Sequence, residues 1–458
     1  MRSERKLFGT DGIRGVADSF PLDAETTFAI GCALARHLAQ AGGPGRRRVV
    51  IGQDTRESSR WIADRLWQGL ASVGVEVLSA GIITTPGIAY LARAKRFDAG
   101  VVISASHNPW TDNGIKIFSR DGYKLPDARE LAIEKEIFTQ LQGAEFSPDA
   151  AAPGSSLPGE KDLREAYVHW LAGSVGTNLS RLRVAVDCAN GAATAEVPEL
   201  FRSLGVRAHL LHSAPDGQNI NESCGALHPE AVARFVAESQ NQFDLGVTFD
   251  GDADRALFSD AEGRVVNGDA VLLLTARDMQ ERGALANSTV VATTMSNMGL
   301  ELALKRLGIR MLRANVGDKY VLEEMQRAGA TLGGEQSGHI LFRDGDATTG
   351  DGLLTALRVM EIMVRSGKSL SSLAADLKVF PQIIRNVRVR EKIPFAQIPS
   401  VQQAIQAAEQ ELNGNGRVVV RYSGTETLAR VMIEAESKDQ MDRIADSIVA
   451  AIRTSLGV

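Results

Sequence analysis

The sequence predicts an α/β protein: three related α/β domains, each with a mixed, mostly parallel sheet built from βαβ units, and a smaller C-terminal α+β domain. Three observations predict it. At ~150 residues per domain, a chain of 458 residues holds about three or four domains. One passage recurs three times: a β-branched run, a polar loop, a helical stretch, a Gly followed by Val or Ile, and a second strand. The third observation is a change of pattern after residue 371, from strand–helix alternation to strand, helix, two strands and a closing helix.

The first copy of the passage runs from Val49-Val50-Ile51-Gly52 to Gly74-Val75-Glu76-Val77. The second runs from Val184-Ala185-Val186-Asp187 to Gly205-Val206-Arg207-Ala208, and the third from Val290-Val291-Ala292-Thr293 to Gly308-Ile309-Arg310-Met311. Strands alternating with helices indicate βαβ units. Any α/β protein contains such units, but the shared internal layout favours true repetition. The Ala-, Pro-, Ser- and Gly-rich stretch from Ala144 to Leu157 reads as a linker. In the tail, strands are expected over Ile383–Val389, Arg417–Tyr422 and Ala429–Glu434, and helices over Ser400–Leu412 and Gln440–Leu456. The domain boundaries then fall at 1–157, 158–257, 258–371 and 372–458, with the last domain expected to move against the rest.

Composition narrows the function. Hydrophobic residues at 44% and charged residues at 23% are ordinary for a globular protein. A net charge of −5 without a long basic run speaks against nucleic acid. No apolar run approaches the ~20 residues that span a bilayer, and the first residues carry no apolar signal segment. Cys32, Cys188 and Cys224 are scattered, odd in number and without metal-ligand spacing. They read as small buried residues in a reducing cytoplasm.

The richest stretch is Asp250-Gly251-Asp252-Ala253-Asp254-Arg255, directly after the apolar run Leu245–Phe249. Three carboxylates alternate, and in extended backbone that spacing puts them on one side. Crowded carboxylates repel unless a cation joins them, and oxygen-only ligands suit Mg²⁺ or Ca²⁺. A calcium EF-hand needs Gly at position six and Glu at position twelve, where this chain has Arg255 and Ala261. A solvated acidic turn is the plainer alternative, but the preceding buried strand weighs against it.

Other loops follow predicted strands, where open α/β sheets bind ligands. Ala99–Ile103 delivers Ser104-Ala105-Ser106-His107-Asn108-Pro109, which offers a candidate nucleophile or, alone, a helix-capping serine. Asn113-Gly114-Ile115-Lys116 adds a cation or a general base. Phe8-Gly9-Thr10-Asp11-Gly12-Ile13-Arg14-Gly15 could hold backbone N–H groups and a charge against a phosphate. In Gly333-Gly334-Glu335-Gln336-Ser337-Gly338-His339, Glu335 and Ser337 could grip neighbouring sugar hydroxyls, and His339 could act as acid, base or phosphate donor. Asn315–Lys319 adds a charged loop. In the tail, Arg421-Tyr422-Ser423-Gly424-Thr425-Glu426 with Arg430 forms a phosphate cradle or, more plainly, a hairpin turn with surface arginines.

Taken in order, Gly9–Gly15, Ser104–Pro109, Asp250–Arg255, Gly334–His339 and Arg421–Glu426 resemble the α-D-phosphohexomutases over essentially the whole chain. The resemblance implies four domains around a central cleft and a phosphoryl group carried by Ser106. It implies Mg²⁺ held by Asp250, Asp252, Asp254 and a Ser106 phosphate oxygen. Glu335 and Ser337 match the readers of sugar hydroxyls. Arg421, Ser423, Gly424, Thr425 and Arg430 match the grip on the non-reacting phosphate. Arg14, His107, Lys116, Arg255 and His339 match the surroundings of the reacting group. The implied partner is a small sugar phosphate, with a hexosamine 1,6-bisphosphate as intermediate or activator and a homodimer as candidate assembly. Residues Gly9–Arg14, Met295–Gly299 and Gln336 resemble the branch acting on glucosamine phosphates, and the mannose/glucose branch is the alternative. The chain departs from the family at Ala253, where Gly is common, at Tyr422, where Lys is common, and at Thr427, where Pro is usual. Outside the family, a metal-dependent phosphatase with Asp250 as nucleophile and a non-catalytic sugar-phosphate sensor are the rival readings.

Overall fold

β-Branched runs become strands where the sequence places them, and each of the first three sheets grows around parallel strands. The computed structural model describes residues 6–9, 11–40, 45–143, 157–159, 161–343, 345, 347–423 and 427–457. Almost all of the expected 144–157 linker lies outside them. The chain opens with β1 (Phe8–Gly9), β2 (Gly12–Val16) and α1 (Ala24–Gln40). It continues through β3 (Arg48–Gln53), α2 (Glu57–Ser72), β4 (Glu76–Ile82), α3 (Thr85–Ala94), β5 (Ala99–Ile103), β6 (Asp112–Ser119) and α4 (Asp127–Gln142). These strands form a sheet of order β1-β2-β6-β5-β3-β4. β3 is parallel to β4 and β5, and the other pairings are antiparallel. Buried Glu134 of α4 ties down the first strand by accepting the N–H groups of Lys6, Leu7 and Phe8 at 2.8, 2.9 and 3.2 Å.

The second sheet follows α5 (Lys161–Gly173). It contains β7 (Arg183–Asp187), α6 (Ala193–Ser203), β8 (Arg207–Leu211), α7 (Pro229–Glu238), β9 (Leu245–Phe249), β10 (Ala256–Asp260) and β11 (Val265–Val266). Its order is β11-β10-β9-β7-β8, with β7 parallel to both β8 and β9. After α8 (Gly268–Glu281), the third sheet is formed by β12 (Thr289–Thr293), β13 (Arg310–Ala314), β14 (Leu332–Gly334) and β15 (Ile340–Phe342) in the order β13-β12-β14-β15. α9 (Met298–Arg306) and α10 (Asp318–Ala328) lie between these strands in the chain, and α11 (Gly352–Ser366) and α12 (Leu370–Ala374) follow them. The three repeated passages are the parallel pairs β3–β4, β7–β8 and β12–β13.

The fourth sheet is antiparallel: β16 (Gln382–Arg388), β17 (Gly416–Tyr422) and β18 (Leu428–Ala435) in the order β16-β18-β17, with α13 (Pro399–Leu412) and α14 (Lys438–Leu456). Its core holds Val431, Ile433, Ile444, Ile448 and Ile452. By packing, the chain divides into two compact units. One comprises Met1–Met295 with Ile309–Ala375, and the other Ser296–Gly308 with Asp376–Val458. Within the second unit, Asn297 donates to the Phe380 carbonyl at 3.0 Å and accepts its N–H at 2.9 Å. No described helix is long and apolar enough to cross a membrane.

Candidate active site

β5 is buried along its whole length. Each large apolar side chain kept from water there is worth about 1.5–3 kcal/mol, so the root of the following loop is fixed. Ser106, at 1% exposure, sits at φ 55°, a left-handed conformation costing a non-glycine residue roughly 1–2 kcal/mol. Hydrogen bonds hold it there. Its N–H donates to Ser104 Oγ at 2.9 Å. Its carbonyl accepts from Arg56 Nη2 at 3.1 Å and from Asn221 Nδ2 at 2.9 Å. The same two side chains donate to the Asn108 carbonyl at 2.7 and 3.2 Å. The turn aims Ser106 Oγ at Asp250 Oδ2, 2.6 Å away, with His107 Nδ1 at 3.3 Å.

Asp250, Asp252 and Asp254 occupy the connection between antiparallel β9 and β10. Strand alternation was the expected source of their convergence, and the structure corrects it. At about 3.3 Å per residue, an extended chain would set the first and third about 13 Å apart, yet ligand oxygens of all three lie within 4.8 Å of one another. A turn gathers them, with Ala253 at φ 54°. That conformation suits Gly, which explains why the position tolerates Ala only with some strain. Gly251 has a different reason: a Cβ there would stand 2.5 Å from the Ser106 carbonyl oxygen, so this loop and the serine loop touch backbone to backbone.

The aspartates fit a hard cation. Burial, then the carboxylates of Asp254 and Asp252, push Asp250 up to about 8. Asp252 Oδ1 and Asp254 Oδ1 are buried without a hydrogen-bond partner, an unfavourable arrangement that a divalent ion relieves. An all-oxygen donor set suits Mg²⁺. Thr85 braces the cluster by donating its N–H to the Asp252 carbonyl at 3.0 Å and its hydroxyl to Asp252 Oδ2.

Cations surround the loop. Lys116 Nζ lies 2.7 Å from Asp252, 3.0 Å from Asp11 and 3.6 Å from Asp254. Burial alone would lower its pKa, but these three carboxylates hold it above the ordinary lysine value. Of the two roles open to it, the surroundings favour a fixed cation over a base. Asp11 also pairs with Arg14, which reaches Asn108 Oδ1 at 3.4 Å, and with Lys124. Against burial, Lys116, Lys124 and Arg14 keep the Asp11 carboxyl well below the usual range. The Arg14 strand starts at Gly12, at φ 81°, where a Cβ would meet the Ile115 carbonyl oxygen at 2.4 Å.

His339 Nδ1 lies 3.6 Å from Asp254 Oδ1, and its Nε2 lies 3.7 Å from Asp318 Oδ2. Burial opposes its charge, but Asp254 and Asp318 outweigh burial and raise it to about 9. His107 goes the other way, down to about 4, through burial and the nearby Arg255 and Arg14. At neutral pH the two rings therefore differ in charge. Both line a cavity of about 390 Å³ with Arg14, Lys124, Arg255, Asp254 and Glu335. Glu335 is on the turn between β14 and β15 and accepts the Gly317 N–H at 3.0 Å. Ser337 is exposed on the same turn.

The second unit carries the tail loop. Arg421 and Arg430 stand directly opposite each other on β17 and β18. Like charges in that register repel, and an anion would relieve them. Ser423 is buried and donates its N–H to the Leu428 carbonyl at 2.8 Å. Gly424 and Thr425 lie outside the described residues. Tyr422 stacks on Phe395, with ring centroids 4.3 Å apart, and its hydroxyl donates to the Ile393 carbonyl. Its side chain is thus engaged within its own unit.

Sequence profiles of the phosphoglucomutase/phosphomannomutase family match in series. Alpha/beta/alpha domains I, II and III match residues 5–144, 165–263 and 267–380, and the C-terminal domain matches 385–451. The chain is 62% identical over 455 residues to a phosphoglucosamine mutase of Koribacter versatilis, covering 99% of this chain and 98% of the relative. It is 52% identical over 454 residues to one of Solibacter usitatus, covering 99% of each. The chain belongs to the phosphoglucomutase/phosphomannomutase family. Among solved structures, a family protein from Burkholderia thailandensis superposes with a TM-score of 0.79 at 26% identity, covering 99% of each chain. The fold also matches that of Aspergillus fumigatus N-acetylphosphoglucosamine mutase in complex with GlcNAc-6P and magnesium. That match has a TM-score of 0.62 at 20% identity and covers 99% of this chain and 96% of the other.

Within this family member, four helpers escaped the sequence reading: buried Arg56, Asn221 and Thr85, and half-buried Lys124. Arg56 follows the carboxyl end of β3, paired with Asp54 in full burial. The strand-end rule that singled out the other loops applies to Gln53-Asp54-Thr55-Arg56 as well, and was the available signal. Asn221 and Thr85 act only through contacts distant in sequence, so nothing local marks them.

Proposed function

We propose that the chain is a phosphoglucosamine mutase, interconverting glucosamine 6-phosphate and glucosamine 1-phosphate with Ser106 as phosphoryl carrier. The observation that carries this reading is the 2.6 Å approach of Ser106 Oγ to Asp250 inside a ring of fixed cations. Such transfer needs positioning and charge neutralisation more than covalent help. Asp250, Asp252, Asp254 and an oxygen on Ser106 would hold Mg²⁺, which would supply neutralisation of the moving group. Ser106 gives its phosphoryl group to O1 of glucosamine 6-phosphate, forming the 1,6-bisphosphate, and takes the O6 phosphoryl group back after the sugar turns over. Arg14, Lys116, Arg255 and His339 face the charge that develops, and His107 helps shape the serine loop. Glu335 and Ser337 take sugar hydroxyls. Arg421, Ser423, Gly424, Thr425 and Arg430 hold whichever phosphate is not reacting. The four-domain division at 157, 257 and 371, a cytoplasmic setting and a homodimer belong to the same proposal.

Ser106→Ala tests it. In a coupled assay with Mg²⁺, glucosamine 6-phosphate turnover is expected to drop by at least about 10³-fold, and retained activity would sink the reading. The phosphoenzyme should resist hydroxylamine, whereas an acyl phosphate on Asp250 would be cleaved and would establish the phosphatase instead. Comparison of kcat/KM on glucosamine, mannose and glucose phosphates separates the branches, with preference for glucosamine expected.

A further inference from the structure

Asp187, His212 and Cys224 come from three loops of the second sheet: the end of β7, the residue after β8, and the segment before α7. They are far apart in the chain, yet one ligand atom from each lies within 4.8 Å of the others. A tetrahedral ion with bonds of about 2.0–2.3 Å needs ligand atoms about 3.3–3.6 Å apart, so little movement would close the triad. His212 Nδ1 already lies 3.0 Å from Asp187 Oδ1, and its side chain is 37% exposed, which leaves an entry path. Asp187 is held from behind: its oxygens accept the N–H groups of Ala189 at 2.8 Å and Gly225 at 3.0 Å. Backbone donors of this kind orient a metal-binding carboxylate while leaving lone pairs free. His212 and Ser223 are both at positive φ, 44° and 53°, so the loops are held in shapes their residues do not favour.

We propose that Asp187, His212 and Cys224 form a second metal site, selective for a thiophilic divalent ion such as Zn²⁺ and distinct from the aspartate loop. Mixed oxygen, nitrogen and sulfur donors suit Zn²⁺ and are poor for Mg²⁺. Binding forms a metal–sulfur and a metal–imidazole bond; the Cys224 thiol proton leaves to solvent, and the neutral His212 ring carries its one proton on the nitrogen that does not ligate. The site reaches the serine loop through one short segment. Asn221, three residues before Cys224, donates to the carbonyls of Ser106 and Asn108. An ion joining Cys224 to Asp187 clamps that segment.

Co²⁺ serves as the probe, added to the full chain in excess Mg²⁺ so that the aspartate loop is filled. One equivalent is expected to bind with thiolate-to-cobalt absorption in the near ultraviolet, a band the sulfur-free aspartate loop cannot produce. Cys224→Ser should remove the band. His212→Gln, at a half-exposed position that preserves folding, should weaken Co²⁺ binding at least about tenfold. Absence of the band in the unaltered protein, its persistence in Cys224→Ser, or unchanged affinity in His212→Gln would each overturn the proposal.

Discussion

Ser106 occupies a backbone conformation it would not adopt alone, and the residues imposing it are more informative than the serine itself. Gly251→Ala should displace the serine loop, because the new Cβ meets a carbonyl oxygen at 2.5 Å. A misplacement near 1 Å costs on the order of 10²-fold in rate, so turnover should fall by about that much, and calorimetry should show a lower melting point. Thr85→Val removes the hydroxyl that braces Asp252 while keeping shape. The Mg²⁺ concentration for half-maximal activity should rise about 10–100-fold, with most of kcat recovered at saturation. An unchanged Mg²⁺ requirement would show that Thr85 merely packs. The loops of Ser106 and the three aspartates stood out as candidates because the chemistry proposed for them would lie in neighbouring residues, and the structure brings the two loops together. Thr85 and Asn221 did not, since each becomes informative only beside a loop more than a hundred residues away.

At the scale of elements, a buried polar group lies where helices of different sheets meet. Glu196 of α6 accepts the Thr84 N–H, at the start of α3, at 3.0 Å. Tyr167 of α5 donates to Asp351 at 2.8 Å, and Asp351 caps α11 through the Leu354 N–H. Burial raises Glu196 to about 8, and its Oε2 has no hydrogen-bond partner. The native protein therefore keeps a proton that the unfolded chain releases near 4.5. Its contribution makes stability fall as pH climbs from 4.5 towards 8. Glu196→Gln keeps an acceptor for Thr84 and cannot titrate, so its melting point relative to the unaltered protein should rise with pH across that window. A pH-independent difference would contradict the buried-proton account. The βαβ passages were readable because a parallel pair needs a long crossover, which leaves a strand–helix–strand rhythm. The antiparallel flanks, such as β1 and β11 with two residues each, are too short to show a period.

For the whole molecule, Lys124 is a tie between the first and third sheets' loops, 2.5 Å from Asp11 and 2.6 Å from Asp318. Lys124→Ala would leave both carboxylates short of their partner. With these side chains 14–22% exposed, losing the partner should cost about 1–3 kcal/mol, visible as a lower midpoint in urea unfolding, whereas no change would make the tie dispensable. The sequence also showed the tail as a separate body, but not that 296–308 packs with it. A helix between two strands of one sheet looks like an ordinary crossover, and contacts such as Asn297 with Phe380 and Arg306 with the Asp376 carbonyl reveal otherwise. The chain thus enters the second unit, leaves it and returns, with joints at 295/296, 308/309 and 375/376. No single peptide cleavage can release that unit intact. A fragment beginning at Asp376 would lose Asn297 and the α9 helix, and should fold poorly or not at all. Nature or an engineer wishing to exchange this second unit for another would have to transplant two separate stretches of gene together.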